Sequence, residues 1–179
     1  MNYIVDDIEA VVELMKIDSI LKRPDVYYMY GHKVEIAARL TEKDQDKVYK
    51  HQKYPLVALR MDFPETWNDG LFEVNLNIAI VQFTEKADYA DKRYDKVFRT
   101  ELYPLYESFM RQLNNVGLFT WESNLEKPPH TKIDRPFWGT PDDQTVTERN
   151  AKGNEAYIFN DPLDAIEIVN LRMKRMKTC

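Results

Sequence analysis

The residues whose types could do chemistry are few and scattered along this chain. Its three histidines, His32, His51 and His130, fall in different segments without the paired spacing of metal ligands. Its one cysteine, Cys179, has no neighbouring base that could activate a thiolate. Neither a glycine-rich phosphate loop nor a Gly-x-Ser-x-Gly nucleophile turn occurs. The sequence therefore predicts no catalytic, cofactor-binding or metal-binding residues, and a protein that is not an enzyme.

Basic side chains near the end of the sequence have a spacing that suits binding to phosphates. They are Arg172, Lys174, Arg175 and Lys177. These four residues are candidates for a DNA-contacting surface. A charge-protected edge strand explains the same residues without any nucleic acid. On an extended strand we expect the first two side chains to point to one side and the last two to the other.

A proline-rich stretch, 122–155, has few signals of regular structure and is interpreted as a long irregular arm. It contains the candidates for contact with another subunit, which are Ile133, Arg135, Phe137 and Trp138. The two aromatic rings either tuck back as an anchor or meet another chain. The sequence leaves both interpretations open.

Length and composition favour a single domain, 1–179. The chain has 179 residues, of which 44% are hydrophobic and 31% are charged, and its net charge is −5. This apolar content excludes a chain that is disordered throughout, and the negative charge argues against a protein that simply coats nucleic acid. No apolar run approaches the ~20 residues of a membrane span. Residues 1–7 lack signal-peptide features, so we expect neither a membrane protein nor a secreted one.

The hydrophobic pattern predicts an α+β domain, with a mainly antiparallel sheet of about four strands packed against an N-terminal helix and a long kinked helix. Helices are expected from Asp6 or Asp7 to Arg23, from His32 or Lys33 to about Asp46, and over 88–115, where Pro104 should introduce the kink. A strand is the alternative for the start of the second helix. Strands are expected over 54–62, 71–83, 118–121 and 162–174, with 26–30 also extended and with a turn at 67–70.

Alternation assigns faces to the two longest strands. In 71–83, every second residue from Phe72 to Ile80 is apolar, so this face should pack on a helix. In 162–174, the same rule places Arg172 on the face of Ile166 and Ile168.

Four stretches resemble, in order and spacing, proteins of tailed phages and prophages of Bacteroides-type bacteria. They are YGHKVEI, YPLVAL, FEVNLNIAI and RTELYPLYESF, at 30–36, 54–59, 72–80 and 99–109. The overall layout is similar to tail-terminator and head-to-tail (neck) ring proteins. The resemblance covers roughly residues 1–121 and the last strand, and the long proline-rich arm departs from the small terminator domain.

The resemblance implies a structural virion protein whose copies form a ring around the DNA channel, at the head–tail junction or the tail end. The implied partners are further copies of the chain, portal or adaptor and tail proteins, and double-stranded DNA that passes non-specifically through the lumen, with no membrane and no cofactor. The implied location is the virion, and the host cytoplasm during assembly. Two alternatives remain from the residues themselves: a DNA-associated accessory protein, and a ligand-binding domain or enzyme with a pocket between sheet and long helix.

Overall fold

The computed structural model describes residues 3–21, 25–46, 48–49, 51–68, 71–85, 87–139 and 161–176. The helices are α1 (Ile4–Lys16), α2 (Lys33–Gln45), α3 (Ala90–Arg93) and α4 (Tyr103–Asn115), and a π-helical segment (Tyr94–Leu102) joins the last two into one long helix. The strands are β1 (Tyr27–Gly31), β2 (Leu56–Arg60), β3 (Glu65–Asn68), β4 (Leu71–Phe83), β5 (Phe119–Thr120), β6 (Thr131–Arg135) and β7 (Leu163–Met176). The chain is a mixed α and β protein, as the hydrophobic pattern predicts.

The seven strands in the described part of the chain form one sheet around the long central pair β4 and β7. β2 and β3 pair with the outer side of β4, and β5 and β6 pair with the outer side of β7. β1 lies outside β2 and is parallel to it, so the sheet is mixed. The expected number of about four strands is too low. The predicted strand 118–121 contains β5, and the stretch 26–30, expected only to be extended, overlaps β1. β3 and β6 were not expected, because strands of 4 and 5 residues are too short to show a clear alternating pattern.

The two faces of the sheet are covered to different extents. On the first face, α1 and the long helix bury an apolar core that includes Phe72 and Ile80, so the expected packing of a helix on this face is confirmed. On the second face, α2 and Trp138 cover the region around Ala79 and Val81. The rest of the second face is polar. This difference leaves half of one sheet face as a candidate binding surface.

A β-bulge exchanges the two faces of β7 near its middle. Asn170 has a φ of 55°, and the register with β4 shifts at this point. A bulge adds one residue to one strand, so alternation changes phase beyond it. The face expected for Arg172 is therefore wrong. Leu171 and Met173 join the core of the first face, and Arg172 is exposed on the second.

Pro104 acts on the long helix through a change of helix type. The proline lies in the first turn of α4, where its missing N–H and its ring exclude the usual hydrogen bond to the carbonyl four residues earlier. The preceding 9 residues are π-helical, and the Tyr103 N–H donates to the Phe98 carbonyl oxygen, five residues earlier. The sequence predicts that the helix is irregular near Pro104, but it does not predict that the irregularity is a π-helical segment.

The first helix is shorter than expected because Asp18 interrupts it. α1 stops at Lys16, and the Asp18 carboxylate accepts a hydrogen bond of 3.1 Å from the Ile20 backbone N–H, a local turn that competes with the helix. It also accepts 2.7 Å from the Ser108 hydroxyl and forms an ion pair with Arg111 of α4. Burial works to raise the pKa of Asp18, but these bonds outweigh it and hold the pKa well below its usual range. Asp18 therefore joins α1 to α4.

Part of 122–155 is regular structure, which corrects the interpretation of the whole stretch as an irregular arm. Thr131–Arg135 forms β6 and pairs with β7 between Val169 and Ala165. The sequence of β6 shows little alternation of apolar and polar residues. The strand is recognised only from its pairing with the long strand β7. Residues 140–155 lie outside the described residues.

Candidate functional site

Trp138 is fixed inside the domain by contacts within its own chain. Its side chain is 2% exposed, and its indole N–H donates to Glu167 Oε1 at 3.0 Å. Its backbone N–H donates to the Leu163 carbonyl oxygen at 2.7 Å. The Lys33 ammonium lies 4.9 Å from the centroid of the indole ring. The structure therefore favours the tucked anchor for this residue, and the buried ring is not available as a subunit contact.

Glu167, on the second face, has a buried carboxylate that accepts hydrogen bonds from three side chains. Its residue is 3% exposed. An Arg60 N–H donates to Oε1 at 3.1 Å, and Arg135 Nε donates to Oε2 at 2.9 Å, beside the Trp138 indole. Two guanidinium groups compensate the buried charge. Arg135, expected at a subunit interface, thus makes an intramolecular contact, while half-buried Ile133 lies opposite Glu167 in the β6–β7 register.

Phe137, the remaining candidate for a subunit contact, lies at the surface. Its residue is 36% exposed, and the Arg93 guanidinium carbon lies 3.6 Å from its ring centroid. Its backbone N–H donates to Asp164 Oδ1 at 2.9 Å, and Arg93 Nε lies 3.2 Å from the other oxygen of the same carboxylate. Burial raises the pKa of Asp164, although both of these partners act in the opposite direction.

Two hydrogen bonds form what we call the clamp: the Trp138 backbone N–H donates to the Leu163 carbonyl oxygen, and the Phe137 backbone N–H donates to the Asp164 carboxylate. The clamp holds the two described ends of the chain around 140–160 side by side. Asp161 is fixed as well, because it accepts a hydrogen bond of 3.0 Å from the Tyr54 hydroxyl. The described chain therefore breaks off at Gly139 and resumes at Asp161 beside the same pair of hydrogen bonds.

The four residues expected to contact DNA do not form one surface. Arg172 and Lys174 are exposed on the second face. Arg175 is 8% exposed on the first face, where it forms an ion pair with the buried Asp7 of α1. The expected separation of the first pair from Arg175 is confirmed. The Arg175 guanidinium is used inside the domain, which does not favour a contact with DNA. Lys177 lies outside the described residues.

The open half of the second face forms a groove of about 700 Å³. Its floor and walls are formed by Pro64, Thr66, Glu73, Val74, Asn75, Trp121, Glu122, Pro129, Arg172, Met173 and Lys174. Lys174 Nζ lies 3.6 Å from Glu73, and no described carboxylate forms an ion pair with Arg172. Asn75 Oδ1 is buried and accepts no hydrogen bond from the described residues. The groove therefore combines mixed charge with an unused acceptor.

The space between the sheet and the long helix is filled by apolar side chains such as Leu102, Phe109 and Leu113. A small cavity beside it, near Thr100 and Leu105, has a volume of about 60 Å³. This volume is far below that of ordinary ligand pockets. The described residues thus provide no support for the alternative of a ligand site between sheet and helix.

The described parts of the chain hold no group of three or more His, Cys, Asp and Glu side chains arranged to bind a metal ion. Of the helices described, none has the length and apolar character needed to cross a bilayer. The chain matches no protein-family model and no curated protein sequence.

Sequence reasoning missed Glu167 and the groove. The signal for Glu167 is an acidic residue inside the apolar run from Ala165 to Val169, which predicts a buried charge with a basic partner. The identity of that partner could not be found, since Arg60 lies 107 residues away along the chain. The groove depends on the bulge at Asn170, for which the sequence has no distinct pattern.

Proposed function

We propose that this chain is a structural protein of a tailed bacteriophage, which assembles as a ring at the head–tail junction or the tail end and surrounds the DNA channel. Its action in this proposal is to bind further copies of itself and neighbouring portal, adaptor or tail proteins, without catalysis. The proposed location is the virion, and the host cytoplasm during assembly. Support comes from the resemblance of residues 1–121 to ring proteins and from the surfaces described below.

The observation that carries the proposal is the presence of two different exposed surfaces on one sheet. The first is the groove on the second face. The second lies at the end of β1, around Gly31. We call it the edge patch, and it consists of the exposed residues Tyr30, Val34 and Met61. Closed rings are commonly built from heterologous contacts, in which one surface of a subunit binds a different surface of the next. The groove and the edge patch are two different surfaces of this kind, and their presence supports the proposal.

The edge patch lies on an outer strand of the sheet. β1 pairs only with β2 among the described strands, so it is an edge strand of the sheet, and an Arg39 N–H lies 3.5 Å from the Tyr30 carbonyl oxygen there. The Met61 N–H donates to the Gly31 carbonyl oxygen at 3.2 Å, which brings Met61 beside the strand end. Exposed strand edges next to apolar side chains are common sites of pairing between chains. The edge patch is thus suited to contact with another subunit.

In this proposal DNA passes through the ring without tight binding. The net charge of the chain is −5, which disfavours adhesion to a phosphate backbone. Two exposed cations, Arg172 and Lys174, lie beside Glu73 and Glu122, so the local charge is balanced. Such a surface is a weak site for phosphates. The proposal therefore assigns DNA passage to the lumen as a whole and not to a basic patch.

The native mass of the purified chain, with negative-stain images of the same sample, tests this proposal. We expect a discrete high-order oligomer with a central hole, alone or after addition of portal and tail components. Met61→Glu should reduce the oligomer to smaller species without lowering the melting temperature, because Met61 is exposed. Ile17→Glu is the matched control, since Ile17 is exposed at the end of α1 and is not part of the edge patch. A monomer under all of these conditions would contradict the proposal.

A further inference from the structure

We propose that the sheets of neighbouring copies join edge to edge, with β1 of one copy beside β6 of the next copy in antiparallel orientation. The inference rests on the proposed function, because it names a contact by which adjacent subunits of the ring hold each other. It is argued from four features of the two edge strands: their direction, their level in the sheet, the orientation of their backbone groups, and their side chains.

The two edge strands run in opposite directions. β6 is antiparallel to β7, β7 to β4, and β4 to β2, whereas β1 is parallel to β2. Subunits of a ring are related by rotation about one axis, so the direction of a strand along that axis is the same in every copy. β1 of one copy therefore meets β6 of the next in the antiparallel arrangement, which is the more stable of the two.

The two edge strands also lie at the same level of the sheet, and each has 5 residues. The register connects each residue of β1 to one residue of β6 across the three strands between them. One such series is Tyr28, Val57, Ile80, Ile166 and Asp134. In the same way, Tyr30 lies level with Lys132. When the strands run along the ring axis, a rotation does not shift them along it, so these residues come opposite each other in adjacent copies.

The backbone groups of β1 point outward at alternate residues. The Tyr27 N–H donates to the Pro55 carbonyl oxygen at 2.9 Å, just before β2, so the backbone of Tyr27 faces β2. Orientation alternates along a strand, and therefore Tyr28 and Tyr30 direct their N–H and C=O groups away from the sheet. The Arg39 N–H lies 3.5 Å from the Tyr30 carbonyl oxygen. This separation is long for a hydrogen bond and Arg39 is exposed, so its side chain can give way to an incoming strand.

The backbone groups of β6 match those of β1. The Pro129 carbonyl oxygen, just before β6, accepts a hydrogen bond of 2.9 Å from the Arg172 N–H of β7. By the same alternation, Lys132 and Asp134 direct their N–H and C=O groups away from β7. These are the residues that lie level with the outward residues of β1. The two strands can therefore exchange four N–H···O=C hydrogen bonds without any shift of register.

The side chains of the two strands suit this pairing. β1 contains neither a charged residue nor a proline, which are the residues that commonly protect an edge strand from pairing. Lys132 comes opposite Tyr30 of the next copy, where its ammonium can lie against the tyrosine ring. On the other face, Met29 comes opposite the half-buried Ile133 of the next copy, which gives an apolar cross-strand pair.

Disulfide trapping between two full-length variants tests this register. Both carry Cys179→Ser; one adds Tyr30→Cys and the other adds Lys132→Cys. Residues of a hydrogen-bonded antiparallel pair have Cα atoms about 5.5 Å apart, which a disulfide can bridge. We expect mild oxidation of the mixed oligomer to give a covalent heterodimer. The control replaces Lys132→Cys with Thr131→Cys, an exposed neighbour on the opposite face of β6, and should give at least tenfold less heterodimer.

The substitution Lys132→Pro tests the backbone bonds between copies. Because the Lys132 N–H faces away from β7, proline removes a donor to the neighbouring copy and none of the bonds within the sheet. We expect the oligomer to dissociate into smaller species, measured as native mass. Lys132→Ala is the control that keeps the backbone donor, and it should keep the oligomer. The two variants should have similar melting temperatures.

The outcomes separate this inference from the proposed function. An oligomer that gives no heterodimer in this register, and that survives Lys132→Pro, overturns the inference and leaves the ring proposal standing. A monomer under all conditions overturns both. Oxidation of the Tyr30→Cys variant alone to a covalent dimer assigns β1 to a two-fold contact between copies and overturns the inference.

Discussion

Replacement of Trp138 by alanine removes a buried indole that joins the second-face core to the clamp. Truncation of a buried tryptophan costs about 3–5 kcal/mol in free energy of unfolding, because the transfer energy of the ring is lost and a cavity is left. The variant also loses the hydrogen bond of 3.0 Å to Glu167. Since Glu167 keeps Arg60 and Arg135 as donors, that loss adds only about 1 kcal/mol. We therefore expect Trp138→Ala to destabilise the domain by about 4–6 kcal/mol.

Urea denaturation followed by far-ultraviolet circular dichroism, at two protein concentrations, measures this loss. Trp67→Ala is the matched control, because Trp67 is 61% exposed and makes an edge-on ring contact with Phe72. The control should lose no more than about 1.5 kcal/mol. A loss below about 1 kcal/mol in Trp138→Ala would refute the anchoring role. An oligomer that dissociates while the stability of the subunit is unchanged would instead place the indole at a subunit contact.

Two further substitutions test the local structure. Gly31→Ala should reduce the unfolding free energy by about 1–3 kcal/mol in urea, because φ is 141° and a Cβ would lie 2.8 Å from Glu35 Oε2. Gly117→Ala is the control for the contact alone, since Gly117 also has a positive φ, of 68°, but has no neighbouring atom within 4 Å of the added Cβ. A loss in Gly31→Ala no larger than that in Gly117→Ala would contradict the contact with Glu35. Asp18→Asn should reduce stability by about 1–3 kcal/mol at pH 7. Because the pKa of Asp18 is lowered in the folded state, its contribution exists above the unfolded pKa of about 4 and disappears as the pH falls below it. The difference between wild type and variant should therefore shrink in urea titrations between pH 5 and pH 2, and a constant difference would refute the assignment.

The elements that the sequence predicts well are those whose pattern is long. β4 has the expected bounds, 71–83, because its alternation continues over the whole strand. The second helix is a helix and not the alternative strand, and its buried residues Ile36, Ala37 and Leu40 follow helical spacing. In both elements the information lies in neighbouring residues. No distant partner is needed to recognise them.

The features that were missed depend on distant partners. Trp67 was expected in a turn, but it lies in β3, which pairs with β4. β6 forms only because β7 is beside it, and the bulge at Asn170 moves Arg172 to the other face. The candidate site shows the same limit: Arg175 was counted as a surface cation, and its buried partner Asp7 lies near the other end of the chain. A local sequence pattern cannot predict which charged residues, distant along the chain, will form an ion pair.

Because of the clamp, the stability of the sheet depends little on the number of residues between Gly139 and Asp161. The described flanks of this stretch are held together where the Trp138 N–H donates to Leu163. For a connection between fixed ends, each doubling of its length costs only about 0.6 kcal/mol of closure entropy. A reporter peptide or a small domain with adjacent termini can therefore be inserted at residue 150 while β6 and β7 stay paired. Insertions and deletions between Gly139 and Asp161 can therefore change the length of the chain without changing the strand pairing of the sheet.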